Sequence, residues 1–523
     1  MAAPQKLHVT ECADPVDRTA FNYWREPEII CRWDEATCTQ LVYLYNEVKE
    51  KYQGDAAAFF RERGRLRSKH GERPNIRVAS IDLGGGTTDL AVTTFVLTSD
   101  AGSTVQITPE QNFRDGFNIA GDNILKAVIG SVIFRSIAAA MESQGVPQAE
   151  TLFRELFGKD SANSDVRNAT LRQQFVRQVA TPIAYAALSI YERSHGEKST
   201  VINIRDVFTG MSQIDPDDLP FKQAPRPLDA VINYVEEGAE RRRGRRFSFF
   251  DLQIEVSFDE IRAVIKDSIG NILRDLCEVV HSYDCDMLLL SGRPSCWPVI
   301  SEIICSRLPV APDRIQPMGD YKVGNWYPFA DAFGNIADPK TTVVVGAILC
   351  LISQNNLAGF VFDSLSLEPL STARHIGELD AKGQLLDPKV WFDIDVRNPD
   401  QKGYEKDVFF SAPILIGFRQ LPIERWTATQ FYEMKLTSNE AAARAEGRYP
   451  YKVHVRLDVE SLSEDDDRTK RLSDSTSRQS EGEFSIESIE DKDGNPVASA
   501  DLAIRLKTLK SDDGCWLDTG VIY

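Results

Sequence analysis

Three consecutive glycines between acids and hydroxyls are the sharpest chemical signal in the chain: Ala79–Phe95 reads ASIDLGGGTTDLAVTTF. Gly84, Gly85 and Gly86 let the backbone turn tightly and bring N–H groups against a phosphate with no Cβ in the way. Asp82, at the end of an expected strand, can hold Mg²⁺ through water, since that ion keeps much of its hydration shell and takes one or two carboxylates. Thr87 and Thr88 add hydroxyl donors. A P-loop needs GxxxxGK[ST] and a dinucleotide fingerprint needs GxGxxG, each running from strand into helix. Here the flanking runs, Val78–Leu83 and Leu90–Phe95, are both β-prone, so the glycines join a hairpin. A plain glycine-rich turn with two solvated aspartates is the competing reading.

Positioning such a loop takes elements on either side of it. Apolar spacing at Leu41, Leu44, Tyr45 and Val48 predicts a helix near 34–49, followed by a polar, basic surface connection over 50–76. From Gly121, residues 124, 125, 128, 129, 132 and 133 form the stripe of an amphipathic helix with Asp122 as its N-cap. Asp259–Ser282 predicts another helix and Asp286–Leu290 a short buried strand. After Ile352 the period changes to alternation, as in Val390, Phe392, Ile394 and Val396 and again in Tyr451, Val453, Val455, Leu457 and Val459. The final third therefore reads as β-rich, with a turn at Lys492–Asn495. Ser461–Glu483 is too poor in apolar residues to offset its ordering entropy and reads as a mobile loop.

Composition excludes several function classes. The 523 residues are 42% hydrophobic and 26% charged, enough for about three domains, and the net charge of −18 repels phosphate backbones, so nucleic acid is a poor partner. The nine cysteines show no CxxC pair, which suits a reducing compartment. The six histidines lack zinc spacing, and no GxSxG elbow is present. Val343–Ile352 and Val128–Met141 are too short or too interrupted to span a membrane, and the first residues do not read as a cleavable signal. A cytoplasmic location, or export without a cleaved leader, is the expectation. The basic run Arg241–Arg246 reads as a solvated loop.

At the glycine cluster the chain resembles the actin, Hsp70 and sugar-kinase ATPase superfamily, whose second phosphate motif has the form D-[LI]-G-G-G-T-x-D. Trp33–Asn46 is similar to that superfamily's first connecting helix, with Glu35 at the position that orients the attacking water and Ala36 replacing a proline. Phe117–Asn123 is similar to the glycine turn that approaches the nucleotide, carried here by Gly121 and Asp122. Asp286–Ile304 resembles the adenosine motif, which implies Ser291, Gly292 and Arg293 beside the adenine. Pro339–Ile352 is like the second connecting helix, with Gly346 and Ala347 allowing close helix contact. The first phosphate motif, a D-x-G turn, would lie well upstream of Glu35, where residues 1–34 contain no glycine.

The chain also resembles the bacterial virulence factor SrfB family, through its WDEATCTQ and DLGGGTTDL segments. That resemblance implies that it corresponds to roughly the C-terminal half of a full-length member. Together the resemblances imply an α/β fold: a connecting segment over 1–76, an actin-like, ribonuclease H-like ATPase lobe over 77–352, and a β-rich domain over 353–523 containing the 461–483 loop. They imply ATP and Mg²⁺ as ligands, with Glu35 and Asp82 catalytic and Asp82 on the metal. Gly84–Gly86, Thr87, Thr88, Gly121, Asp122, Ser291, Gly292 and Arg293 would hold the nucleotide. A Mg-dependent ATPase whose nucleotide state governs contact with a protein partner or a missing lobe is one expectation; a non-catalytic scaffold that retains the fold is the other.

Overall fold

The computed structural model describes residues 33, 35–101, 104–159, 166–194, 196–353, 357, 360–363, 374–394, 403–458, 483–507 and 516–523. The expected loop over 461–483 lies, but for Glu483, outside the described residues, as do Val396 and Val459.

The first strands are β1 (Asn75–Leu83), β2 (Thr88–Ala101), β3 (Thr104–Phe117), β4 (Ser199–Asn203), β5 (Gln253–Ser257), β6 (Met287–Ser291), β7 (Ile315–Pro317) and β8 (Phe360–Phe362). β4 and β5 pair with each other, and the other six form one sheet in the order β7-β6-β1-β2-β3-β8. β1, β2 and β3 form an antiparallel meander, whereas β6 runs parallel to β1 and β7 parallel to β6. The expected hairpin is therefore present, in the register Ile81 opposite Leu90 and Asp82 opposite Asp89.

Both faces of this sheet are covered, so period-2 alternation sorts its residues between two cores. Ala79, Ile81, Leu83, Val92, Leu288 and Leu290 face the larger core. Ile76, Val78, Phe95, Met287 and Leu289 face the smaller one. The Met287–Leu290 run is apolar throughout because a parallel strand covered on both sides has no solvent face.

The smaller core is closed by α1 (Glu35–Tyr45), α2 (Ala56–Arg63) and, much later in the chain, α11 (Thr341–Ser353). α1 continues as a π-helical turn through Lys51. Every residue of α1 from Ala36 to Leu44 is buried. Two of its polar members bond internally: Gln40 Nε2 donates to Val78 O, Ser80 Oγ and Ala91 O, and Thr39 Oγ1 shares a 2.8 Å hydrogen bond with Thr342 Oγ1 of α11. The close approach expected of the two connecting helices is carried by Gly346, where a Cβ would stand 2.1 Å from the Cys38 carbonyl oxygen. The 50–76 stretch is more than a surface connection. α2 buries Phe59 and Phe60 and is capped by Asp55, whose carboxylate accepts from Ala58 N.

The larger core lies against the opposite face. α3 (Gly121–Val128), a π-helical turn and α4 (Phe134–Ser143) make one continuous helix, long and apolar enough to cross a membrane. Its apolar residues are instead buried in the protein core, Ile124, Val128, Val132, Ile137 and Met141 among them. Asp122 is not the N-cap. That position is Ala120, whose N–H donates to the side chain of Asn123, and Asp122 sits in the first turn, where a carboxylate suits the helix dipole. α5 (Ala149–Phe157), α6 (Val166–Phe175), α7 (Thr181–Glu192), α8 (Asp229–Arg243), α9 (Phe258–Ser282) and α10 (Pro298–Arg307) complete this layer. Of the basic run expected as a loop, Arg241–Arg243 are the last turn of α8, where cations complement the helix C-terminus, and Gly244 is its left-handed cap; Arg245 and Arg246 follow outside the helix and are exposed.

β8 pairs parallel with β3, so the first sheet reaches beyond the expected boundary at residue 352. The β-rich part follows as β9 (His375–Glu378), β10 (Val390–Asp393), β11 (Gly403–Phe410), β12 (Ile414–Arg419), β13 (Thr429–Leu436), β14 (Tyr451–Asp458), β15 (Glu483–Glu490) and β16 (Leu502–Leu506). A five-stranded sheet, β10-β9-β12-β13-β16, and a three-stranded one, β11-β14-β15, share one core. The expected alternation holds in β14, where Tyr451, Val453, Val455 and Leu457 are buried.

This part is seated on the helical layer. Trp426, between β12 and β13, inserts its ring beside Phe113 and Phe117 and donates from Nε1 to Asp115 Oδ2 at 2.8 Å. Arg425 pairs with Asp275 at 2.9 Å and with Glu278 on α9. The last residues also return to the helical layer, with Ile522 in its core and Thr519 O accepting from Arg172 Nε.

Candidate functional site

The carboxyl ends of β1 and β6 converge on the glycine loop. β1 delivers Asp82, which is 8% exposed and whose Oδ1 accepts from Ser291 Oγ at 2.8 Å, its register partner at the end of β6. Asp89 is the register partner of Asp82 on β2, but the two carboxylates lean to opposite neighbours, Asp89 Oδ1 over Gly116 on β3 and Asp82 Oδ1 against Ser291 and Gly292 on β6.

Gly84 N donates to Thr87 O at 2.9 Å and closes the turn. The first turn of α3 is tied to the same loop, with Gly121 N donating to Gly84 O at 3.0 Å and Asp122 N to Gly85 O at 2.7 Å. Gly86 projects into open space. Behind the loop, Gly292 adopts φ +79°, and a Cβ there would stand 2.1 Å from Leu83 O, so β6 can end against β1 only with glycine at this position. The structure thus brings Asp82, Gly84–Gly86, Thr87, Gly121, Asp122, Ser291 and Gly292 into one place from three separate stretches of sequence.

Other expected residues are engaged differently. Thr88 is buried and its hydroxyl donates to Ile119 O at 2.7 Å, so it pins the hairpin to the chain entering α3 and does not face outward. Thr87 Oγ1 donates to Asp89 Oδ2 at 2.8 Å. Arg293 pairs with Glu192 on α7 at 2.7 Å, which fixes its guanidinium on the rim. Glu35 is exposed at the first position of α1, and the carbonyl of the next residue, Ala36, accepts from Ser80 Oγ. Ser80 and Asp82 lie on the same face of β1, so α1 starts on the Asp82 side of the sheet.

The electrostatics are acidic and partly desolvated. Half-burial raises the Asp122 carboxyl above its ordinary range, opposed by the charge of Lys340. Burial likewise raises Glu192, against the pull of Arg293 and Arg193. No group of three or more metal-ligating side chains occurs among the described residues, so an all-protein metal cage is lacking there.

Sequence reasoning missed the part of Asp89, which emerges only from the register, and it missed Lys340 and the Trp426–Asp115 contact, which no local spacing marks. No curated protein matches the chain. A family model described as virulence factor SrfB matches residues 6–523, and the chain belongs to that family.

Proposed function

We propose that this SrfB-family protein binds ATP with Mg²⁺ at the glycine loop and that the bound nucleotide governs its contact with a second protein body. The observation that carries the reading is the meeting of an open triple-glycine turn with Asp82 and Ser291 at the carboxyl ends of β1 and β6 and with Asp89 at the start of β2. Crevices outside the carboxyl ends of strands, where strand order reverses, are where open α/β sheets take phosphate-bearing ligands. β1 is such a point here, with β2 on one side and β6 on the other.

In this reading the amides of Gly85 and Gly86 and the Thr87 hydroxyl orient the phosphate chain, and Asp82 and Asp89 hold the hydrated ion. Ser291 keeps the Asp82 carboxylate in one orientation, and Gly292 lets β6 end against β1, at the turn beside which the base would lie. Mg²⁺, when bound, neutralises charge on the phosphates. Glu35, at the start of α1, would align a water. An apolar stripe supports the second body: Val344, Ile348, Leu351 and Ile352 on α11 are 40–53% exposed and recur at helical spacing. The scaffold reading draws on the same stripe and on the Thr87–Asp89 bond, which occupies the loop's hydroxyl.

Calorimetric titration of the purified chain with ATP, with and without Mg²⁺, tests the proposal. Binding that strengthens in Mg²⁺ and weakens in Asp82→Asn supports it; no heat of binding in either condition leaves the scaffold reading.

A further inference from the structure

We infer that Lys340, at the entrance to α11, supplies the protein's positive charge to the phosphate end of the ligand held at Gly84–Gly86. The assignment rests on the nucleotide reading above and deepens it.

The rim of the site is unusually acidic for a polyanion. Asp82, Asp89, Asp122 and Glu192 all lie on it or next to it, and a divalent ion alone leaves a triphosphate facing several carboxylates. Of the basic side chains near this rim, Arg293 and Arg193 act on Glu192, and Lys340 acts on Asp122. Arg293 is already held by Glu192 at 2.7 Å. Lys340 is exposed and forms no ion pair with a described residue.

Contacts between neighbouring segments place Lys340 on the loop's side of the molecule. Its own N–H donates to Asp338 Oδ1 at 3.0 Å, which sets the direction of the chain as it enters α11. Pro339 lies against Gly319, and Gly319 lies against Cys296, the last residue of the turn that follows Gly292. Pro294 in that turn lies against Gly121, whose N–H is bonded to Gly84 O. Asp122 Oδ1 in turn is 3.6 Å from where a Cβ on Gly85 would be. Burial raises the Asp122 carboxyl and the Lys340 charge opposes that rise, so the ammonium is within electrostatic reach of the residue beside Gly85. A flexible four-carbon stem on a fixed backbone suits a phosphate whose position shifts as the ligand enters.

The test is calorimetric titration of MgATP, MgADP and AMP into the full chain and into Lys340→Ala, Lys340→Glu and Lys340→Arg. Losing one charge-assisted contact weakens MgATP binding by about tenfold or more, with Lys340→Glu worse and Lys340→Arg close to the parent. The loss should shrink from MgATP to MgADP to AMP, and the parent's affinity should fall more steeply with salt than that of Lys340→Ala. If the parent binds MgATP and Lys340→Ala binds it equally well, the Lys340 assignment is wrong and the nucleotide reading stands. An equal loss for all three nucleotides means that Lys340 only holds Asp122 or α11 in place, and likewise overturns the assignment. If the parent binds none of them, the nucleotide reading fails and this inference with it. Melting temperatures of the variants, unchanged for an exposed side chain, separate these outcomes from misfolding.

Discussion

Trp426→Ala is expected to loosen the β-rich part from the helical layer. The indole is 3% exposed, packs edge-on against Phe117 at 5.5 Å between centroids, and donates to a carboxylate that is itself buried. Truncating a large buried aromatic side chain typically costs about 3–5 kcal/mol. Leaving the Asp115 oxygen without its donor adds about 1–3 kcal/mol. Trp426→Phe keeps most of the volume and should show chiefly the second cost. The seam also carries a pH dependence. Burial pushes the Asp115 carboxyl up to about 7 from 3.8, against hydrogen bonds from Trp426 and Gly116 that hold it down. Arg114 helps lower it and Asp89 helps raise it. Because the folded-state value is the higher one, the folded form retains a proton that the unfolded form releases. The contribution of this group is therefore full below about pH 4, falls as pH rises towards 7, and is flat above that, a span on the order of 4 kcal/mol. Asp115→Asn keeps an acceptor for the indole and removes the charge, so it should flatten that part of the profile and stabilise the protein at pH 8. Urea unfolding followed by tryptophan fluorescence at pH 5, 6, 7 and 8 reads all four proteins. An unchanged midpoint in Trp426→Ala, or the same pH profile in Asp115→Asn as in the parent, refutes the seam as described.

Gly346→Ala places a Cβ 2.1 Å from the Cys38 carbonyl and must push α1 and α11 apart; a loss of about 1–3 kcal/mol or more should appear as a lower unfolding midpoint. Asp82→Ala should weaken Mg-dependent ATP binding while keeping the fold by circular dichroism, with Asp82→Asn separating loss of charge from loss of the Ser291 contact; equal ATP affinity in Mg²⁺ would take Asp82 out of the site. Phosphate release from ATP by the chain on its own should be slow, because the donors described lie on one side of the phosphates and one preorganised donor is typically worth about 10²–10³ in rate. Fast turnover abolished by Glu35→Gln would contradict this.

Elements whose own residues determine them were legible. The β1–β2 hairpin, the helix from Gly121 and α9 each carry their period in sequence, and the glycines mark the turn without reference to anything distant. α2 was not, although Asp55 and three alanines mark its start, because it is short and the charges around it hide that Phe59 and Phe60 are buried. β8 has three residues and exists because the β3 edge is free to pair with it. Gln40 reads as a surface residue and is buried because three acceptors wait for it on β1 and β2.

The site divides along the same line. Asp82 and Gly84–Gly86 were legible because a phosphate loop is a local device. What Asp82 faces is set by strand register, which places Asp89 opposite it and Ser291 beside it from 209 positions away. Thr88 shows the limit most directly. Its type and spacing fit a phosphate donor, yet period-2 alternation turns it to the inside of the hairpin, where the Ile119 carbonyl needs a partner. Thr87, one residue earlier and still in the turn, remains exposed. Whether a hydroxyl in such a motif serves the ligand or the scaffold is therefore decided by where the strand begins, and that boundary depends on the β2–β3 pairing that the motif itself does not contain.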